Sequence, residues 1–145
     1  MDLTREYPRS PGAELHGIAF IPRAIDKGRA DLAGTVGEYF SRIGFSKVLT
    51  DFLEIDIDEF VEALAELPDD EAVWGWVSTR MAPRTAAEIA EFNQGLLGRK
   101  ANPDFVERHR GFLEPMGLAH LADKISVCER LDLEEGRSVP GIENR

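Results

Sequence analysis

The sequence of 145 residues contains one cysteine, Cys128, so it cannot form an intrachain disulfide or a cysteine-based metal site. It also lacks any long hydrophobic run, and its longest early apolar stretch, residues 18–21, is far too short to cross a membrane. Residues 1–11 are polar and do not contain the apolar core of a secretory signal. These absences predict a cytoplasmic protein that has no membrane segment.

Catalytic and cofactor-binding signatures are missing as well. The chain contains no Ser-His-Asp order, no Gly-rich phosphate loop and no dinucleotide-binding fingerprint. Its three histidines, His16, His109 and His120, are not spaced to share one helix face, and His109 falls on an apolar face where a core histidine is usual. We therefore expect no metal site and no cofactor, and whether the protein is an enzyme stays open.

Positive charge is absent between residues 48 and 79, where ten acidic residues occur without a Lys or Arg. Elsewhere 17 acids are balanced by 17 Lys and Arg, so this acidic block carries the whole net charge of −10. No basic stripe that would bind nucleic acid is present. The ordinary interpretation of the block is a solvated acidic helix pair, and the alternative is a docking face for a basic partner.

A docking face would use exposed acids and an exposed tryptophan, since tryptophan is enriched at interfaces. Trp74 and Trp76 are two residues apart and cannot share one helix face, so we expect one in the core and the other at the surface. We predict self-association or a basic protein partner, and no contact with nucleic acid or membrane. The candidate partner-facing residues are Asp58, Glu62 and Trp74.

Apolar residues recur with helical spacing along most of the chain, and no segment has convincing strand alternation. We predict an all-α fold: a single-domain helical bundle of about five to seven helices over residues 1–137, with an irregular N-terminal arm that Tyr7 and the two nearby prolines dock. Residues 138–145 are predicted to form a flexible tail. The expected helix starts and caps are Pro22, Ser46, Asp56 with Glu59, Thr85 with Glu88, and Asn102 with Pro103. The helix that begins at Pro22 is expected to run to about Ala33, and residues 118–133 are expected to form only a helical turn or two.

The most informative segment, residues 21–39, mixes charged side chains with core-type apolar residues and contains glycines near its end. On a helix, Arg29 falls within the apolar stripe that Ile25 and Leu32 define, so its guanidinium must be paired or must reach the helix edge. Asp26, three residues earlier, is the expected partner because residues three apart are neighbours on a helix surface.

Three interpretations stay open for this polar segment: a structural ion-pair network, a pocket for an anion or polar metabolite, and a partner interface. In a pocket, Arg23 and Arg29 would hold a carboxylate or phosphate, and Asp26 or Glu38 would orient the ligand or act as a base. The candidate ligand-binding residues are Arg23, Asp26, Lys27, Arg29, Glu38 and Tyr39.

Several motifs carry a resemblance to a known family. They are Y-P-R-S-P at residues 7–11, P-R-x-I-D-K-x-R-A-x-L-x-G at 22–34 with G-E-Y at 37–39, P-D-D-E-A-V-W-G-W-V at 68–77, P-R-T-x-x-E-I at 83–89 and L-D-L-E-E-G-R at 131–137. Together they resemble the bacterial domain-of-unknown-function family numbered 5069, although residues 98–125 share no motif with it. The resemblance implies a small cytoplasmic bacterial protein and brings no activity, substrate or catalytic residue.

These observations favour a non-enzymatic binding or interaction protein, because the acidic block and the tryptophan pair come without a catalytic constellation. The alternative is a binder or enzyme that acts on a small anionic metabolite at the polar segment of residues 21–39. The two hypotheses differ in what surrounds the charged side chains: an interaction protein needs an exposed surface, and a metabolite site needs an adjoining cavity.

Overall fold

The computed structural model describes residues 1–142, and its backbone confirms the all-α fold with an irregular N-terminal arm. Seven α-helices lie within the described residues, together with three short 3-10 turns and one two-residue hairpin. The elements are β1 (Glu14–Leu15), β2 (Ile18–Ala19), α1 (Ile21–Leu32), α2 (Phe45–Leu53), α3 (Ile57–Ala63), α4 (Asp70–Ser78), α5 (Ala86–Leu97), α6 (Val106–Leu113) and α7 (Val127–Glu134), with 3-10 turns at Leu64–Glu66, Glu114–Met116 and Ala119–Leu121.

The chain divides into two compact units, Met1–Phe92 and Asn93–Arg145. The first unit contains the arm, the hairpin, α1 to α4 and the first half of α5. The second contains the rest of α5, α6 and α7. That residues 1–137 behave as one domain stays a prediction.

The N-terminal arm is fixed by buried prolines and a tight hairpin. Pro8 and Pro11 are buried as expected, whereas Tyr7 is 55% exposed, so the prediction that its ring docks the arm is wrong. Antiparallel β1 and β2 are joined by His16 and Gly17, whose φ angles of 48° and 85° are positive, as both residues of the tightest two-residue turn require. The hairpin therefore fixes the direction in which the chain enters α1.

Helix α1 is the central element of the first unit, and its predicted extent is confirmed to within one residue. Pro22 lies in its first turn, where a missing N–H costs nothing. Residues 21–28 are all buried, so this helix has no solvent face over two turns. A Cβ on Gly28 would lie 2.5 Å from Cδ1 of the buried Leu64, and the absent side chain therefore allows the 3-10 turn after α3 to approach closely.

Local cap signals are mostly confirmed. Asp56 accepts a hydrogen bond from the N–H of Glu59 at 3.0 Å, and Thr85 and Glu88 form the reciprocal capping box at 2.9 and 3.1 Å. The cap assigned to Ser46 is wrong: α2 begins at Phe45 after Gly44, whose positive φ of 67° makes the turn, and Ser46 is buried inside the helix.

The second unit departs further from expectation. Helix α6 begins at Val106 rather than at Asn102 and Pro103, because the intervening residues form a turn in which the N–H of Phe105 bonds to the carbonyl of Asn102 at 2.9 Å. Helix α7 was expected only as a turn or two, yet Ser126 and Glu129 give it a full capping box. The core of this unit consists of Leu113, Leu121, Ala122 and Ile125.

The C-terminal segment begins as a packed segment. Val139 is 7% exposed, and Ile142 packs against the core of the second unit. The remaining residues of the predicted tail, 143–145, lie outside the described residues, and flexibility of residues 138–145 stays a prediction.

The close approach at Gly28 predicts an unusual response to substitution. Replacing a helical glycine by alanine normally stabilises a protein by up to about 1 kcal/mol. Here the new methyl would overlap the buried Leu64, and overpacking costs about 1–3 kcal/mol. We expect Gly28→Ala to lower the free energy of unfolding in the wild-type background and to raise it in a Leu64→Ala background, as measured by urea denaturation. A stabilising effect of Gly28→Ala in both backgrounds would contradict this account.

Candidate functional site

The centre of the first unit is an arginine held between two carboxylates. The guanidinium of Arg9 donates from Nε and Nη2 to the two oxygens of Asp26, both at 3.1 Å, and from Nη1 and Nη2 to Asp70 at 2.6 and 3.1 Å. The backbone N–H of Arg9 donates to Asp26 as well, at 2.9 Å. One residue of the arm therefore joins α1 and α4 through two bidentate contacts, the strongest geometry available to a guanidinium.

This pairing corrects the expected partner of Asp26. Arg9, rather than Arg29, binds its carboxylate, which is 7% exposed. The contact fixes charge as well as position: Arg9 lowers the pKa of Asp70, and the two carboxylates, Asp70 foremost, raise the pKa of Arg9. Asp26 accepts three hydrogen bonds from Arg9, two from the guanidinium and one from the backbone N–H, so this contact fixes the position of the arm against α1.

The other arginines of α1 are held by backbone oxygens and by a ring. Arg23 is almost fully buried, and its Nη1 donates to the carbonyl of Arg9 at 3.1 Å while its guanidinium lies 5.6 Å from the centre of the Tyr39 ring. Arg29 donates from Nη1 to the carbonyl of Leu64 at 3.0 Å, so it tethers α1 to the following 3-10 turn. Both arginines therefore connect α1 to neighbouring segments of the first unit.

The predicted ligand-binding residues therefore come together only in part. Arg23 and Asp26 meet through Arg9, and Tyr39 lies beneath Arg23. Lys27 is buried with its ammonium 5.1 Å from the centre of the Phe20 ring, and Glu38 is an exposed residue of the segment that follows α1.

A second arginine bridges two acids on the surface. Arg42 donates from Nε to Asp31 at 3.0 Å and from Nη1 to Asp58 at 2.7 Å, and the hydroxyl of Ser41 also donates to Asp31. The hydrogen bond from Ser41, followed by Arg42, lowers the pKa of Asp31, and the same two carboxylates raise the pKa of Arg42. Asp58 itself stays 62% exposed.

An open pocket of about 230 Å³ lies beside this bridge. Phe40 and Ile43 are 65% and 57% exposed, which is unusual for large apolar side chains in one short segment. Seven residues line the pocket, and both of these apolar side chains are among them: Asp31, Val36, Tyr39, Phe40, Ser41, Arg42 and Ile43. The lining thus combines apolar side chains with one carboxylate, Asp31, and one guanidinium, Arg42.

The acidic block is not simply solvated. Cations from outside the block bind several of its members: Arg9 binds Asp70, Arg42 binds Asp58, and Arg84 binds Glu54 at 3.2 Å. Two further pairs are Lys47 with Asp51 and His16 with Glu71. The predicted surface residue Trp74 is half-buried, and its ring stacks on His16 at 4.7 Å, while Glu62 is exposed.

Sequence reasoning missed Arg9 and Arg42 because both lie in irregular segments, where periodicity gives no signal. A usable signal existed for Arg9: a buried aspartate in a helix without a solvent face requires a cation, and Arg9 stands between two prolines that fix the arm. Arg42 had no comparable signal, since its partners on α1 and α3 are exposed in part.

His109 is the buried titratable group of the second unit. It is fully buried, as the apolar face predicted, and burial followed by the nearby charge of Arg130 lowers its pKa, with the backbone of Ile125 acting in the opposite direction. Within residues 1–142, no group of three His, Cys, Asp or Glu side chains is arranged to hold a metal ion. No helix in the same range is long and apolar enough to cross a membrane.

Fold and site together define a small, acidic, helical protein in which paired carboxylates bind arginines from its own irregular segments. The chain belongs to the family described as Domain of unknown function (DUF5069), whose family model matches residues 5–137. The resemblance carried by the sequence motifs is thereby confirmed. No curated protein gives a significant match.

The bridge made by Arg9 predicts a large loss of stability on its removal. Arg9→Met leaves the buried Asp26 without its cation, and orphaning one partner of a buried pair costs about 3–5 kcal/mol. We expect the lower end of this range because the Arg9 side chain is 40% exposed. Urea denaturation at neutral pH measures the loss. Arg5→Met is the matched control, since Arg5 is 86% exposed and its contact with Asp2 is 3.7 Å long; equal effects of the two variants would contradict the assignment.

The same bridge predicts an acid response. Because the folded-state pKa of Asp70 lies below its ordinary value of 3.8, its contribution to the free energy of unfolding is complete above that value and is lost as the pH falls through the lowered pKa.

His109 gives a separate response at higher pH. Its lowered pKa means that the unfolded chain binds a proton first, so stability declines as the pH falls below the ordinary value of 6.5.

We expect His109→Leu to reduce the slope of unfolding free energy against pH between about pH 7.5 and about pH 5.5, where carboxylates hardly titrate. His120→Gln is the control, because His120 is exposed and the slope should persist in that variant. Thermal or urea unfolding at a series of pH values supplies the slope. If wild type and His109→Leu have the same slope, the buried imidazole is not what responds to pH.

Proposed function

We propose that this protein is a non-enzymatic binding protein that takes a basic polypeptide segment carrying an apolar side chain. The observation that carries the proposal is the pocket of about 230 Å³ whose lining exposes Phe40 and Ile43 and includes Asp31, with Asp58 bound to the lining residue Arg42. An apolar pocket rimmed by charge is typical of a surface that binds a protein chain.

The apolar part of this surface supports an anchored partner. Single exposed apolar residues are common on proteins, but Leu32, Phe40 and Ile43 are three large ones within twelve residues. Burying one such side chain against the pocket is worth about 1.5–3 kcal/mol. A partner residue that enters the pocket would therefore supply a useful part of the affinity.

The charge supports a basic partner over a second copy of the chain. Helix α3, whose Asp58 binds the pocket residue Arg42, exposes Asp58, Glu59 and Glu62 within a stretch that has no Lys or Arg. Two copies meeting through this face would repel each other, whereas a segment rich in Lys or Arg would be attracted and would associate faster at low salt. The proposed surface therefore combines the pocket with Asp58 and Glu62, and Trp74 is left out because His16 covers one face of its ring.

The alternative, a site for a small anionic metabolite at Arg23, Asp26, Lys27, Arg29, Glu38 and Tyr39, has less support. Asp26 is engaged with Arg9, and Arg23 and Arg29 donate to backbone carbonyls, so these side chains already have partners within the chain. We also propose that this protein is bacterial and cytoplasmic. This proposal rests on the family resemblance and on the single cysteine.

A labelled peptide tests the proposal directly. The probe is a fluorescein-labelled synthetic peptide in which one leucine is flanked by arginines, and fluorescence anisotropy reports binding. We expect binding that weakens with added salt, and a loss of about tenfold in affinity for Phe40→Ser with Ile43→Ser, since about 1.4 kcal/mol corresponds to tenfold. Tyr7→Ser is the matched control, because Tyr7 is an aromatic residue of the first unit that is also more than half exposed and does not line the pocket.

Two results would overturn this function. One is equal affinity of the wild type, the double variant and Tyr7→Ser, which would remove the pocket from the interaction. The other is equal affinity for a peptide whose leucine is replaced by serine, because charge alone would then account for binding.

A further inference from the structure

We infer that the pocket takes an aromatic side chain of the partner, and that Arg42 gives it this preference by stacking its guanidinium on the incoming ring. The inference rests on the proposed function and deepens it by naming the type of apolar residue that the partner inserts. In this account Arg42 keeps its contacts with Asp31 and Asp58, and the ring is added to them.

Two carboxylates hold the guanidinium of Arg42 by its edge. Its Nε donates to Asp31 at 3.0 Å and its Nη1 to Asp58 at 2.7 Å. The N–H groups of a guanidinium lie in its plane, so these bonds do not use its two flat faces. The side chain is 35% exposed and lines the pocket. Arg42 is therefore a positioned cation that an incoming side chain can reach.

Other arginines of the first unit have a ring of the chain itself against the guanidinium. Those of Arg80 and Arg84 lie 4.3 and 4.8 Å from the ring centres of Trp76 and Phe52, and both also donate to backbone carbonyls. Arg42 has hydrogen bonds along its edge in the same way, but within residues 1–142 no aromatic ring lies over it. A ring supplied by a partner would complete the arrangement that these arginines already have.

The pocket has the size and the lining that an aromatic ring needs. Its volume is about 230 Å³, whereas a cavity of about 150 Å³ is large enough for benzene. Tyr39 and Phe40 line it together with Arg42, and Phe40 is 65% exposed. An incoming ring can therefore stack on the guanidinium and form offset or edge contacts with aromatic side chains. An aliphatic side chain fills the same space without these contacts.

The positive charge of Arg42 is compatible with a basic partner. Asp31 and Asp58 both bind this one cation, so the three side chains together carry a net negative charge. Lys or Arg residues of the partner are attracted to the acidic surface around them. A guanidinium is planar and weakly hydrated, which suits it to lie against a ring. The partner is thus a basic polypeptide segment whose inserted residue is Phe, Tyr or Trp.

Two fluorescein-labelled peptides that differ only in the π electrons of one side chain test this preference. Both place a ring between arginines, phenylalanine in one and its saturated analogue cyclohexylalanine in the other. We expect the wild type to bind the phenylalanine peptide about two- to fivefold tighter, the effect of one exposed cation–π contact. The ratio of the two affinities should fall by about the same factor in Arg42→Met, since only this variant lacks the guanidinium.

Arg5→Met is the matched control, because Arg5 is 86% exposed and does not line the pocket. It removes the same charge, and we expect it to keep the wild-type ratio. A general change in charge affects both peptides alike and cancels in the ratio. No preference in the wild type, or the same preference in Arg42→Met, overturns the inference.

Indole tests the contact without any peptide. On its addition to the wild type, the NMR signals of the Cδ protons of Arg42 should move upfield, because a stacked ring shields them, and those of Arg5 should not. Cyclohexanol should leave both unchanged. An Arg42 shift that is absent, or equal with cyclohexanol, overturns the inference.

The two proposals fail in different ways. If both peptides bind the wild type with equal affinity, the proposed function stands and this inference is wrong. If neither peptide binds, the proposed function has failed, and the indole result alone decides whether Arg42 stacks on a ring. Amide spectra that match the wild type away from the substituted residue establish that the variants are folded.

Discussion

The contact of Arg9 with Asp26 and Asp70 is the interaction on which the first unit depends. Asp26 lies in a helix whose first two turns have no solvent face, and an unpaired carboxylate there would be strongly destabilising. The arm supplies its cation, and the same cation reaches Asp70 on α4. Arm, central helix and acidic helix are therefore positioned by one side chain, and buried prolines on both sides of it hold that side chain's backbone in place.

These contacts change the interpretation of the acidic block. A run of carboxylates without a Lys or Arg predicts a solvated surface, but several of these acids bind cations that come from the arm, from the segment after α1 and from the segment before α5. Acidic and basic residues that are separated along the sequence thus form ion pairs in the folded chain. The acids that stay exposed, such as Glu59, Glu62 and Glu66, are what the surface offers to solvent or to a partner.

The parts of the fold that the sequence predicted are those that local chemistry decides. The extent of α1 and the caps at Asp56 and Thr85 follow from side chains within four residues of each other. The partner of Asp26 could not be found in this way, because Arg9 is 17 residues distant and Asp70 is 61 residues from Arg9. The helical spacing of Asp26 and Arg29 was correct, yet tertiary contacts gave each a different partner. The sequence thus placed these charged residues on one helix but could not predict which residues they contact.

The buried position of Cys128 has a practical consequence. As the single thiol of the chain, 3% exposed and located on α7, it is shielded from alkylating reagents while the second unit is closed. Its rate of modification therefore measures how often that unit opens, without a label or an engineered residue, and over times far longer than those of side-chain motion. The modification rate of one enclosed thiol thus reports local unfolding in the unmodified natural chain.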